Sequence, residues 1–428
     1  MFLLLGFVPG TKTLFRKIEC LPGGSRIALR EDGYEVLETR HYHSMAYPED
    51  LKGKPRSYLL KEARRAWLAA IGACYETGQD ILVPLSGGLD SRAILAGLLE
   101  YADSSKIRTV TRGVPGSLDL AWGPQVAKAA GTKHVEIDLR NVPIRMDGLL
   151  KAALSTDGNI NLFDAYYNLQ LVERSGATEY WPGYMGGSSC GSLQPPREIQ
   201  GRDAVYRHFD EANKLYNPRR ILIEPSVHAR CRRLVLSCLD GIAVRNSMTP
   251  YEIVNFRHRQ ERLIGTIVAS SEVAAKTPFA EEEWLQFALS LPRDLRRHRR
   301  FFVRFLLSFC PSLMTVPTTE FWGLPVTTRM RRLWANRRRL ITFAKRKLGM
   351  HSGLSYPTYI DFDEAIRSRP DLGQIVRQSV NDLDARAIVP KGTAPRLLKE
   401  HLDHQADHSM VLCLLTSLEI ILKAFNVK

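Results

Sequence analysis

A short apolar run, Ile81–Leu85, stops abruptly at Ser86-Gly87-Gly88-Leu89-Asp90-Ser91, and apolar character resumes over Ala93–Leu99. Few folds accommodate that sequence of events. A continuous apolar run fits a strand buried on both faces, and the second run fits a buried helix. The paired glycines let backbone N–H groups approach an anion without interference from Cβ. The helix that follows aims its positive end at the same place. Ser86 and Ser91 add hydroxyl donors, and the Asp90 carboxylate is a hard oxygen ligand suited to Mg2+. No G-K-[ST] follows, so this is a different phosphate cradle from the Walker loop.

The pattern recurs along the next stretch. Residues 56–77 carry helical spacing, Ile107–Val110 reads as a strand, Pro124–Ala130 as a helix and His134–Ile137 as a strand. Such alternation predicts an α/β fold, a parallel sheet flanked by helices. Residues 1–45 read as short strands separated by turns: Phe2–Val8, Thr13–Ile18 and Arg26–Arg30. From about residue 200 onward strand signals fade and amphipathic, Arg-rich segments dominate, predicting a mostly helical C-terminal part. The expected division is 1–55, a short β segment; 56–200, the nucleotide-sized domain; and 201–428, the helical part.

Composition excludes several classes. With 44% apolar and 25% charged residues among 428, the chain is neither a disordered nor a fibrous protein. Seven cysteines without a CxxC pair give no disulfide or zinc framework, and a reducing, cytoplasmic setting is expected. Met1–Val8 and Met410–Leu422 are the longest apolar stretches, and neither suits a membrane span. No basic segment precedes the first, so a secretory leader is not expected. The net charge of +15 favours anionic company.

Val83-Pro84-Leu85-Ser86-Gly87-Gly88-Leu89-Asp90-Ser91 closely resembles the pyrophosphatase loop of asparagine synthetases. The resemblance continues through Gly113–Asp119, Val126-Ala127 and His134–Ile137, and through Pro278-Phe279 and Phe287–Pro292. Leu4–Pro9, Thr13–Phe15 and Leu21–Gly24 look like the tail of that family's N-terminal glutaminase domain. The resemblance implies an ATP-dependent ligase of the adenine nucleotide alpha hydrolase type. Such an enzyme adenylates a carboxylate, releases pyrophosphate and passes the acyl group to ammonia or an amine, as in asparagine biosynthesis. It implies ATP binding by Leu85, Ser86, Gly87, Gly88, Leu89, Asp90 and Ser91, with Arg112 on the adenine side, Gly183 nearby and Asp90 on Mg2+.

Two departures qualify that expectation. The family's glutaminase needs a cysteine directly after the initiator methionine, whereas this chain begins Met1-Phe2. Nitrogen is therefore expected from free ammonia, a separate glutaminase or an amine-bearing substrate. The family's acidic segment aligns with Pro182–Ser188, where Gly183 and Gly186 survive but Tyr184 and Gly187 replace carboxylates. Asp157, Asp119 or Asp164 could compensate, and Tyr184 could transfer a proton. Asp157 precedes glycine, and Asp-Gly is more often a turn pair. The acceptor acid could be aspartate, a sugar acid or a peptide side chain. The lost carboxylates also admit a catalytically degenerate, nucleotide-binding partner subunit. A tRNA-modifying enzyme of the same loop superfamily is the third alternative.

Arg329 to Lys347 holds nine Lys and Arg and no acid, with Leu333, Trp334, Leu340, Ile341 and Phe343 interleaved. A solvated helix face accounts for this, and so does contact with an anionic membrane surface. No RNA-binding signature accompanies the run, so nucleic acid is the disfavoured partner. A second basic run, Arg293–Arg300, reads as a helix end or a substrate-side loop.

Overall fold

The computed structural model describes residues 1–33, 36–41, 47–48, 50–173, 175–195, 197–217, 221–240, 247–270, 272–347 and 360–427, and leaves the side chains of 36–41, 215 and 342–347 undescribed. Near the N-terminus β1 (Ser25–Leu29) pairs antiparallel with β2 (Val36–His41). A second sheet comprises β3 (Ile81–Pro84), β4 (Ile107–Gly113), β5 (Lys133–Asp138), β6 (Glu179–Tyr180) and β7 (Ala274–Ala275). All its pairs are parallel, in the order β5-β4-β3-β6-β7. Helices flank it, as the alternation predicted.

That order fixes where a ligand can sit. From β3 the chain winds one way to β4 and β5, then returns to the other side of β3 with β6 and β7. The connections after β3 and β6 therefore diverge at the carboxyl edge and leave a crevice between them. The loop after β3 is Ser86–Gly88, and β6 leads straight into Trp181-Pro182-Gly183.

Element boundaries follow local chemistry. The helix Leu89–Leu98 begins at Gly88, in extended conformation at φ −80° and ψ 175°, and carries Asp90 in its first turn where the dipole favours a carboxylate. The helix Leu118–Ala130 starts on a Ser117 side-chain cap and ends on left-handed Gly131, so it extends well before the Pro124 start expected from sequence. The expected strand Phe2–Val8 is instead a helical turn, Phe2–Leu5, closed by Gly6 at φ 81°. Its apolar side chains meet a helical core on every side, so a strand has no partner there. Thr13–Ile18 likewise forms turns, with Thr13 Oγ1 bonded to the Ile18 carbonyl at 2.8 Å.

The cores cut across the boundaries drawn from sequence. Phe2–Val8 packs among Leu149–Leu169, Val205–Leu263 and the C-terminal helices up to Ile421. Residues of 279–335 pack against Trp67, Ile94 and Val83, on the sheet side. Segments far apart in sequence thus share the core beneath the crevice. Among the described residues no helix is long and apolar enough to cross a membrane.

Candidate functional site

The Ser86–Ser91 loop is held by its own hydroxyls. Ser86 N–H donates to Ser91 Oγ at 3.3 Å and Gly88 N–H to Ser86 Oγ at 3.1 Å. Leu85 N–H donates to the Val110 carbonyl at 2.7 Å, fixing the end of β3. Leu85 and Leu89 are buried and pin the loop from below. Gly87 is buried beneath Thr319 and Trp122, while Ser86, Gly88 and Asp90 remain partly exposed at the crevice.

The loop already faces an anion. Gly87 N–H donates to Asp119 Oδ1 at 3.0 Å. Asp119 lies in the first turn of the helix after β4, and burial pushes its carboxyl up to about 6, against the pull of the Gly87 hydrogen bond and of Arg112. Arg112, near the end of β4, places its charge where Asp119 and Tyr180 both feel it. Arg112, expected on the adenine side from the resemblance, lies near the carboxyl end of β4.

Gly183 and Gly186 meet Asp90. A Cβ on Gly183 would stand 3.0 Å from Asp90 Cβ, and one on Gly186 would stand 2.6 Å from Asp90 Oδ1. The glycine framework after β6 is therefore an imprint of the Asp90 side chain. This contact spans the crevice and joins two stretches that sequence had paired only by resemblance.

Arg299, part of the basic run Arg293–Arg300, and Glu320, to which the sequence points in no way, complete the centre. Arg299 forms ion pairs with both Asp90 and Glu320, and its guanidinium also lies 4.6 Å from the Phe302 ring centroid. Its side chain is 6% exposed, so one nearly dry cation faces two carboxylates. Burial raises the pKa of both acids and Arg299 opposes it. Burial also works against the charge of Arg299, yet Asp90 and Glu320 hold its pKa above the ordinary value. His298 and Arg299 reach this place through left-handed backbone, at φ 55° and 59°. The Arg293–Arg300 run was a signal for this residue, but no local pattern marks which arginine turns inward.

Arg92 positions the cover. Its guanidinium donates to the carbonyls of Leu313, Val316, Pro317 and Gly87, at 2.9, 2.7, 2.5 and 3.0 Å. Thr319 N–H then donates to the Gly87 carbonyl at 3.0 Å. The segment bearing Glu320 is thereby strapped to the loop.

The two residues given catalytic roles from sequence lie differently. Tyr184 donates its hydroxyl to the Gln260 carbonyl at 3.0 Å, and burial raises its pKa above the ordinary range. It joins the crevice to the π-helix Asn255–Ile264. Asp157 is exposed, at φ 49° in the turn that ends the helix Met146–Ser155, and the adjoining Gly158 packs on Ile421. Among the described residues nothing joins it to the loop.

Residues 62–147 match the family model for asparagine synthase. That stretch belongs to the asparagine synthase family. It contains β3, β4 and β5, the whole loop and Asp119. The glycines after β6, Arg299 and Glu320 lie beyond the matched asparagine synthase stretch. No curated protein matches the chain. At the level of the asparagine synthase family, the match supports an ATP-dependent, ligase-type function.

Proposed function

We propose that this crevice binds ATP and activates a carboxylate as an acyl-adenylate for transfer to ammonia or an amine. A substrate carboxylate oxygen attacks the α-phosphorus, and the bond to the bridging oxygen breaks with release of pyrophosphate. The amine nitrogen then attacks the acyl carbon, AMP departs with the bonding pair, and the nitrogen loses a proton. The observation that carries this reading is the meeting of Asp90 with Gly183 and Gly186 across the switch point, directly beside the loop N–H groups.

The donor chemistry suits Mg2+. Asp90, in the loop, and Asp119, bonded to Gly87 N–H, offer hard carboxylate oxygens, and glycine leaves the backbone uncovered where a Cβ would collide. Asp90 and Asp119 would hold the ion, whose chemistry is to neutralise charge on the departing phosphates. Arg299 supplies positive charge that is already oriented. A phosphate oxygen would replace the Asp119 carboxylate on Gly87 N–H. Tyr184, with its hydroxyl committed and its pKa raised, is assigned to shaping the crevice.

Purified protein, ATP, Mg2+ and labelled pyrophosphate, assayed across aspartate and a panel of sugar acids and peptide carboxylates, test the reading. Carboxylate-dependent label incorporation into ATP that falls at least about a hundredfold in Asp90→Asn is expected. The replacement of carboxylates after β6 favours a second reading, a nucleotide-binding partner subunit. That reading predicts ATP binding with no exchange for any acid.

A further inference from the structure

Among its described side chains, the helix Arg331–Lys347 meets the protein through Arg331, Arg332, Ala335 and Arg338. Ala335 is buried, Arg331 lies 5.0 Å from the Phe321 ring centroid, and Arg332 donates to the His298 carbonyl at 2.9 Å. Arg338 donates to the carbonyls of Trp322 and Gly323 at 3.2 and 3.0 Å. These contacts fix the helix against the segment that carries Glu320 and covers the loop.

A different face looks outward, and it is apolar. Leu333, Trp334, Leu340 and Ile341 each lie three or four residues from Arg337 and so share one side of the helix with it, with Met330 at its start. Met330, Leu333 and Leu340 are 63%, 61% and 70% exposed, and Trp334 and Ile341 are 47% and 45% exposed. A charged helix has no folding reason to hold four large apolar groups away from its own core. Arg337 lies 5.4 Å from the Trp334 ring centroid, its stem along the apolar stripe.

We propose that this helix docks the protein on an anionic phospholipid bilayer, lying in the headgroup plane. The choice of occupant rests on charge and greasiness together. The segment Arg329 to Lys347 carries nine cations and no acid, so two copies meeting through it would repel. A nucleic-acid backbone satisfies the cations but leaves Leu333, Leu340 and Ile341 in water. A bilayer interface takes both, with leucine and tryptophan below the headgroups and arginine among the phosphates. The helix is not a membrane span, so association is peripheral and reversible. The inference stands apart from the adenylation chemistry and places the crevice behind a membrane-facing helix.

Co-sedimentation of the full chain with two kinds of vesicle tests it: phosphatidylcholine alone, and phosphatidylcholine mixed with phosphatidylglycerol at about three to one. Binding to the mixed vesicles alone, weakened by salt, is expected. Leu340→Ser and Trp334→Ser should each reduce it about tenfold, and Arg337→Gln about fivefold, with thermal midpoints unchanged because these side chains contact solvent. Trp334 fluorescence should be quenched by brominated lipid in the mixed vesicles. Equal binding to both vesicle types, or full binding by Leu340→Ser, would overturn the proposal. So would retention by tRNA, or concentration-dependent self-association, in protein that ignores both vesicles.

Discussion

Two groups of arginines lie close in sequence and do opposite things. Arg296 and Arg299 are 1% and 6% exposed at the side chain; Arg296 meets Glu252 and the Ser247 carbonyl, and Arg299 meets Asp90 and Glu320. Arg337 and Arg339, in the outer helix, are exposed to solvent. Burial is what separates them. A dry cation without its partner is left uncompensated, so each buried arginine matters individually. A wet cation is screened, and only the sum over the helix matters. The inner group specifies the crevice, whereas the outer group supplies a surface field.

Replacing one residue from each group tests that difference most severely. Arg299→Met leaves Asp90 and Glu320 facing each other and should lower unfolding free energy by about 3–5 kcal/mol in urea titration. Arg337→Met should change it by less than about 0.5 kcal/mol. Similar losses would erase the distinction.

The same logic governs protons. His258 is buried, accepts the Gly10 N–H at Nδ1 and contacts the Val235 carbonyl through Nε2, and burial lowers its pKa from 6.5 to about 4. Its unfolded form binds the proton first, so its contribution is present above pH 6.5 and is lost as pH falls toward 4, by about 3 kcal/mol. Asp119 runs the other way. Its folded pKa of about 6 exceeds 3.8, so its contribution is fullest in acid and is lost as pH rises through 6. Allowing for partial exposure, the cost at neutral pH is about 2 kcal/mol. Asp119→Asn removes this opposing slope. The variant should gain midpoint stability at neutral pH and lose more than wild type on acidification, read by urea midpoints across that range. Parallel curves would show Asp119 to be solvated and not part of a dry loop.

Close packing at the crevice predicts a smaller effect. Gly186→Ala places a methyl group against Asp90 Oδ1 and should cost about 1–3 kcal/mol, along with ATP affinity. Gly33 is exposed at φ +74°, and a Cβ there would meet nothing within 4 Å. Gly33→Ala should cost only the local backbone penalty of about 1 kcal/mol and leave ATP affinity unchanged. Equal loss of affinity in both would deny Gly186 its special place.

The sheet and its loop were legible because their signals are local. Ile81–Leu85 reads as a doubly buried strand, and Gly87-Gly88 reads as a turn before a helix whatever lies elsewhere. Asp119 was legible only as one of several spare carboxylates. Arg299 and Glu320 were not, because their roles arise when segments more than two hundred residues from Asp90 fold over the loop. Two-residue strands such as β6 and β7 carry too few side chains for periodicity to register. Phe2–Val8 was misread as a strand since a short apolar run has no period of its own. Its helical turn is set by left-handed Gly6 and by the helices around it.

Titration calorimetry of the full chain with ATP and Mg2+ tests the central claim most directly. One molar equivalent should bind, and binding should be lost in a folded Asp90→Asn variant. Absence of binding heat at several temperatures, with competition assays also blank, would contradict a nucleotide crevice between Ser86 and Gly186.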